Sequence, residues 1–199
     1  AARASATWSV AVAATVPDDG ALAGANLTLA EVVGVIVEGV LLARYRYRSH
    51  RSQPKEAPLE RLTVIGAAPG VETEASIAGA LRRVRAAVVA RDLANTPPGH
   101  LTATDLGEIA LALGEEFGFE VEVLGRAELT ELGCGGILGV NAGSAQEPRL
   151  LVLRYRPDGA TDATPHLGLV GKGIMYDTGG ISLKPSAPMP QLMKTEMGG

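Results

Sequence analysis

The feature that most constrains this chain is an apolar run that ends abruptly in glycine and charge. Leu167-Gly168-Leu169-Val170 leads directly into Gly171-Lys172-Gly173-Ile174-Met175-Tyr176-Asp177-Thr178-Gly179-Gly180-Ile181-Ser182-Leu183-Lys184-Pro185. Apolar residues closed by glycine punctuation predict a short buried strand followed by a loop. Glycines let backbone come close to a ligand and take positive φ at no steric cost. Charged side chains at the end of a buried strand are partly desolvated, which is costly unless a counter-charge or a metal meets them. The local expectation is a polar site at a strand end. The plainer alternative is a glycine-rich surface turn with solvated lysines.

Elsewhere the patterns alternate between strand and helix. Thr7 to Val12 alternates as a strand, Leu29 to Tyr47 is helical with Val32, Val33, Ile36, Val40 and Leu41 on one face, and Leu59 to Ile65 is a strand. Arg44, Arg46, Arg48, His50 and Arg51 form a basic run, read as a solvated helix end. Glu72 to Leu93 predicts one long helix, with Ile77, Leu81, Val84, Val88 and Leu93 at approximately helical spacing. Pro97-Pro98 must end any helix that reaches it, because proline lacks the N–H and crowds the residue before it. Thr102 or Thr104 can cap a helix running to about Phe117, Phe119 to Leu124 alternates as a strand, and Ala127 to Leu132 reads as a short helix. A glycine-rich stretch from Gly133 leads to Asn141 and Ser144, and Pro148 to Tyr155 is a strand. Strands alternating with helices imply an α/β fold with a mostly parallel sheet.

Composition bounds the function. With 46% hydrophobic and 20% charged residues the chain reads as globular, and a net charge of −4 gives no reason to expect nucleic acid or an anionic membrane as partner. No apolar run reaches the ~18 residues a membrane span needs. The single cysteine, Cys134, rules out an internal disulfide, suits a reducing compartment, and reads as a small buried thiol. His100 and His166 read as loop residues rather than ligands. The pattern of a Walker-type phosphate loop is absent, since Lys172 is followed by Gly173. The sequence has no initiator methionine and ends at Gly198-Gly199, so a fragment truncated at both ends is expected.

Gly171-Lys172-Gly173-Ile174 and Asp177-Thr178-Gly179-Gly180-Ile181-Ser182-Leu183-Lys184-Pro185-Ser186 resemble the signature of the leucyl aminopeptidase family, cytosolic two-metal exopeptidases. The spacings agree as well, five residues from Lys172 to Asp177 and seven from Asp177 to Lys184. The resemblance implies that Lys172 donates a neutral amine to one divalent ion, Zn or Mn, that Asp177 bridges two such ions, and that Lys184 is the catalytic lysine that polarises the scissile carbonyl. It further implies peptide substrates with leucine-like amino-terminal residues, a cytoplasmic location and a hexamer. By the same carry-over, residues 1–71 are part of an amino-terminal α/β domain, 72–93 a linking helix, and 94–199 the first part of a mixed-sheet catalytic domain.

These residue types suit that chemistry. A carboxylate has two oxygens and can bridge, a dication drives the proton from a lysine ligand, and a charged lysine can face a developing oxyanion. Two departures stand out. The family's string Met-Lys-x-Asp-Met-Gly is matched by Met193-Lys194-Thr195-Glu196-Met197-Gly198, with Glu196 in place of the aspartate ligand and one extra residue between Lys184 and Glu196. Met193 would line the apolar pocket for the substrate's first side chain, or simply fill core. In addition, no string of the type Asn-Thr-Asp-Ala-Glu-Gly-Arg, which carries the family's remaining ligands, occurs in these 199 residues. The chain on its own is therefore expected to be inactive. The competing expectation is a degenerate relative acting as a structural subunit or DNA-binding regulator.

Overall fold

The computed structural model describes residues 11–17, 26–49 and 59–191. It is an α/β protein that divides into two compact units, Ala1–Asn95 and Thr96–Gly199.

In the first unit, strand β1 (Ala11–Thr15) pairs in parallel with β2 (Arg61–Ile65), with Ala13 opposite Thr63. Helix α1 (Leu29–Ala43) and helix α2 (Val71–Asn95) pack together. Helix α1 starts where its sequence allows: the Thr28 hydroxyl accepts from Glu31 N–H at 3.2 Å, and the Glu31 carboxylate accepts from Thr28 N–H at 2.7 Å. This reciprocal capping satisfies donors that a helix start leaves open. The core holds Val33, Val37 and Ala80, with Leu41, Leu62, Val64 and Ile77 packed around them. Val37 was not among the expected face residues, whereas Ile36 is only half-buried. Gly34 is the point of closest approach between the helices, since a Cβ there would collide with the Ser76 hydroxyl.

Helix α1 ends at Ala43, four residues before the expected limit at Tyr47. Tyr45 leaves the helical path and its hydroxyl donates to Asp92 at 2.7 Å while accepting from Asn95 Nδ2 at 3.1 Å. The Arg91 guanidinium sits 5.4 Å from the centre of the Tyr45 ring and also donates to the Leu42 carbonyl. A three-bonded aromatic anchor outweighs about one further turn of weakly amphipathic helix. In the basic run, Arg46 is not simply solvated, for it donates to the carbonyls of Ala43 and Tyr45. His50 and Arg51 lie outside the described residues.

In the second unit, helix α3 (Ala103–Phe117) begins on a second capping box, Thr102 with Asp105, and ends at Gly118 in the left-handed region. Its buried face is Gly107, Ala110 and Gly114. A Cβ on Gly114 would lie 2.7 Å from the Phe119 carbonyl and 2.8 Å from Val121, so small residues let α3 sit directly on β3 (Glu120–Leu124). Strand β3 pairs with β4 (Leu150–Arg154) in antiparallel register, Glu122 opposite Val152. The expected parallel arrangement is therefore found in the first unit and not in the described strands of the second. The connection between these strands carries two short helices, α4 (Arg126–Glu131) and α5 (Gly135–Asn141).

Helix α5 occupies the glycine-rich stretch that the sequence suggested as loop, and Cys134, at its N-cap, is half-buried rather than buried. Asn141 and Ser144 close the following turn: Arg126 donates to Asn141 Oδ1 and Glu147, Asn141 Nδ2 donates to the Gln146 carbonyl, and Ser144 Oγ accepts from Gln146 N–H. Packing accounts for both residues.

Candidate active site

The signature segment departs from expectation in its first four residues. Leu167, Leu169 and Val170 are 84%, 86% and 103% exposed and belong to no strand. Apolar sequence becomes a strand only when a neighbour accepts from its N–H groups and donates to its C=O groups, and the described strands pair only as β1–β2 and β3–β4. The buried strand expected over 167–170 is thus absent, and the loop beyond it has to be held by its own bonds.

It is held. The Asp177 carboxylate accepts the Gly179 N–H on Oδ1 at 2.8 Å, closing a side-chain-to-backbone turn two residues on. Lys184 N–H donates to the Thr178 carbonyl at 2.7 Å, which brings the chain back beside its own start. The Lys184 ammonium donates to Asp177 Oδ2 at 3.0 Å. Gly179 makes this path possible. Its φ is +90°, and a Cβ there would collide with the Ser182 carbonyl and lie 3.1 Å from Lys184 N. The eight residues Asp177 to Lys184 are folded into one closed loop with an ion pair at its neck.

The charges in that loop act on one another. The Gly179 N–H holds the Asp177 carboxyl below its ordinary range, the Lys184 hydrogen bond adds to this, burial opposes them more weakly, and the positive charges of Lys184 and Lys172 lower it a little further. Asp177 is anionic at neutral pH, the state a metal ligand requires. The Lys184 side chain is 16% exposed and that of Asp177 38%, so the pair is partly withdrawn from water. Lys172 is exposed, five residues earlier, and reaches Asp177 through charge. The loop meets the body of its unit at Gly173, where a Cβ would be 3.8 Å from Leu106 of α3.

Of the five residues singled out from sequence, the structure brings Asp177 and Lys184 into contact and puts Lys172 within their electrostatic reach. Met193 and Glu196 lie outside the described residues. Among the described residues no three of His, Cys, Asp or Glu gather as a metal site. The donor types nevertheless fit a divalent ion, with an anionic carboxylate of two oxygens and an amine within one loop, as part of a larger set. Gly179 and Thr178 close the loop through their backbone groups, and sequence reasoning left them unassigned. The signal for Gly179 was its place two residues after an aspartate, where an Asx turn calls for an accessible N–H.

Comparison with known proteins points the same way. The chain is 40% identical to a probable cytosol aminopeptidase of Mycobacterium bovis, the match covering 86% of this chain and 35% of the relative. Among solved structures it is similar to a variant of tomato leucine aminopeptidase, with a TM-score of 0.81 and 27% identity over 100% of this chain and 37% of that one. It is also similar to the bottromycin maturation enzyme BotP in complex with Mn, with a TM-score of 0.72 and 32% identity over 98% of this chain and 44% of that one. The chain spans about a third of the length of the curated relatives it matches. The profile described as "Cytosol aminopeptidase family, catalytic domain" matches residues 88–199, which include the whole Asp177–Lys184 loop, and so the chain belongs to the cytosol aminopeptidase family.

Proposed function

We propose that the full-length protein is a metal-dependent aminopeptidase that removes leucine-like residues from the amino termini of peptides. The observation that carries this reading is the closed loop in which an anionic carboxylate and an ammonium are held 3.0 Å apart, within a segment matched by the family's catalytic domain. Membership of the family and the Mn found with BotP support it.

In this reading Asp177 and Lys172, with Glu196, would hold two divalent ions, Zn or Mn. The ions supply an acidified water at neutral pH and polarisation of the scissile carbonyl. The chain's own residues do the rest. Lys184 turns its ammonium to the carbonyl oxygen as negative charge develops there, a stabilisation worth about 10²–10³ in rate for one well-placed donor. The Gly179 N–H keeps Asp177 unprotonated and oriented. Met193 would contact the first side chain of the substrate and set the preference for apolar residues. Residues 94–199 would be the opening of the catalytic domain, 72–93 the linking helix and 1–71 part of the amino-terminal domain. The cytoplasm is the proposed location, and a hexamer the proposed assembly.

The test is hydrolysis of a leucine anilide by the full-length gene product with added Mn²⁺ or Zn²⁺. Metal-dependent turnover that falls about 10²–10³-fold in Lys184→Ala is expected. A folded wild-type protein with no turnover would sink the reading and leave a structural or regulatory role in its place.

A further inference from the structure

This inference rests on reading Lys172 and Asp177 as metal ligands. Two donors serve one ion only if the chain between them is held, and a displacement of about 1 Å at such a site is costly. The loop beyond Asp177 has its own bonds, Gly179 N–H to Oδ1 and Lys184 N–H to the Thr178 carbonyl. Neither bond reaches Lys172, which stands on the other side of Gly173-Ile174-Met175-Tyr176. Its distance from Asp177 depends on how that stretch is seated.

Exposure marks the seat. Leu167, Leu169 and Val170 before the stretch and Ile181 and Leu183 after it are exposed, whereas Ile174 and Met175 are half-buried. Beside them, a Cβ on Gly173 would lie 3.8 Å from Leu106 Cδ2, an ordinary packing distance, so this backbone and that side chain are within a methyl group of each other. Leu106 is itself firmly mounted. It lies in the first turn of α3, where its N–H donates to the Thr102 carbonyl at 3.0 Å beneath the Thr102–Asp105 capping box. The next residue, Gly107, is buried, and a Cβ there would be 3.3 Å from Val123 Cγ1 and 3.7 Å from Leu151 Cδ2. A line of packing thus runs from β3 and β4, through the start of α3, to the stretch between the two candidate ligands.

We propose that Leu106 is a positioning residue of the candidate site: it carries the seat at residues 173–175 and so sets the distance of Lys172 from Asp177. The two halves of the site then have separate supports. Asp177 and Lys184 are tied by the loop's own bonds, and Lys172 is placed by packing against α3. Loss of the Leu106 side chain should loosen the ion that Lys172 and Asp177 share and spare the Asp177–Lys184 pair.

The test is calorimetric titration of Mn²⁺ into the full-length gene product as wild type, Leu106→Ala, Leu106→Met and Val121→Ala. Leu106→Ala should bind one Mn²⁺ about tenfold more weakly and the other within about twofold of wild type. Leu106→Met keeps the volume and should bring both back to within about threefold. Val121→Ala is the control, because Val121 packs under Gly114, toward the far end of α3 from Leu106, where a Cβ on the glycine would be 2.8 Å away. Both of its affinities should stay within about twofold of wild type. A readout without metal is oxidation of Met175 by peroxide, followed by mass spectrometry of its peptide. Leu106→Ala should raise that rate several-fold, and Leu106→Met should not. The proposal is overturned by Mn²⁺ binding in Leu106→Ala equal to wild type, by an unchanged rate at Met175, or by an equal loss in Val121→Ala, which would mean general loosening of α3. Each of these leaves the metal reading standing. A wild type that binds no Mn²⁺ removes both.

Discussion

The helix pair α1–α2 and the signature loop 171–185 solve the same problem, holding backbone and charge in place, with opposite means. The helix pair is held by burial: Val33, Val37 and Ala80 form a dry seam, Gly34 lets the helices touch at Ser76, and Tyr45 ties the two carboxyl-terminal ends together. Its polar contacts sit at the edges. In the signature loop the order is reversed. Ile181 and Leu183 are exposed, Leu167 to Val170 find no strand partner among the described residues, and the contacts that hold the loop are polar ones centred on Asp177. Burial gives the helix pair many small contributions that tolerate adjustment. The loop has a few directional bonds, each of which fixes an atom that chemistry would use. A stability-bearing region and the candidate site are thus separated in kind, and substitutions should sort accordingly.

The largest separation is expected at Gly179. Gly179→Ala forces a side chain into a left-handed residue and against the Ser182 carbonyl, at a cost of about 2–3 kcal/mol confined to the loop. Mn²⁺ binding by the full-length protein should weaken roughly 10²-fold, while its melting temperature barely moves. A large drop in melting temperature would break the comparison, because it would make the loop part of the stability-bearing core.

The converse substitution is Gly34→Val. It drives a branched side chain into the Ser76 backbone and hydroxyl at the helix crossing, and overpacking of this sort costs about 1–2 kcal/mol. The denaturation midpoint should fall, and Mn²⁺ affinity should stay within twofold of wild type. An affinity loss as large as that of Gly179→Ala would show that the two regions are coupled.

The smallest effect sharpens the comparison within the second unit. Asp105 at the start of α3 is held below its ordinary carboxyl value of 3.8 by hydrogen bonds from the Thr102 N–H and hydroxyl, against a weaker effect of burial. A carboxyl lowered in the folded state stabilises the fold above its ordinary value and loses that contribution as pH falls through the lowered one. Thermal stability should therefore show a small decline below pH 3.8 that Asp105→Asn removes. A decline of equal size in the variant would assign the acid sensitivity elsewhere.

How much of this could be read from sequence follows the same division. Where a local rule decides, the sequence is explicit. Thr102, one of the two expected caps, starts α3, the long helix over 72–93 is present as Val71–Asn95, and the strands at 61–65, 120–124 and 150–154 lie within the segments expected as strands. Where a distant partner decides, it is not. The end of α1 depends on Tyr45 meeting Asp92, a contact 47 residues away. The antiparallel direction of β4 depends on its pairing with β3, and the strand over 167–170 finds no neighbour among the described residues. Asp177 and Lys184 meet because the spaced motif that the sequence singled out folds as a local loop. Met193 and Glu196 were read from the same motif and lie outside the described residues.

The most direct test of the central claim, that the Asp177 loop is a metal site, is a count of bound metal. The full-length wild type and Asp177→Asn would be dialysed against Mn²⁺ and analysed by mass spectrometry of the metal content. The account predicts two Mn²⁺ per chain in the wild type and the loss of at least one in the variant. Two ions retained in a folded Asp177→Asn, or none in the wild type, would contradict it.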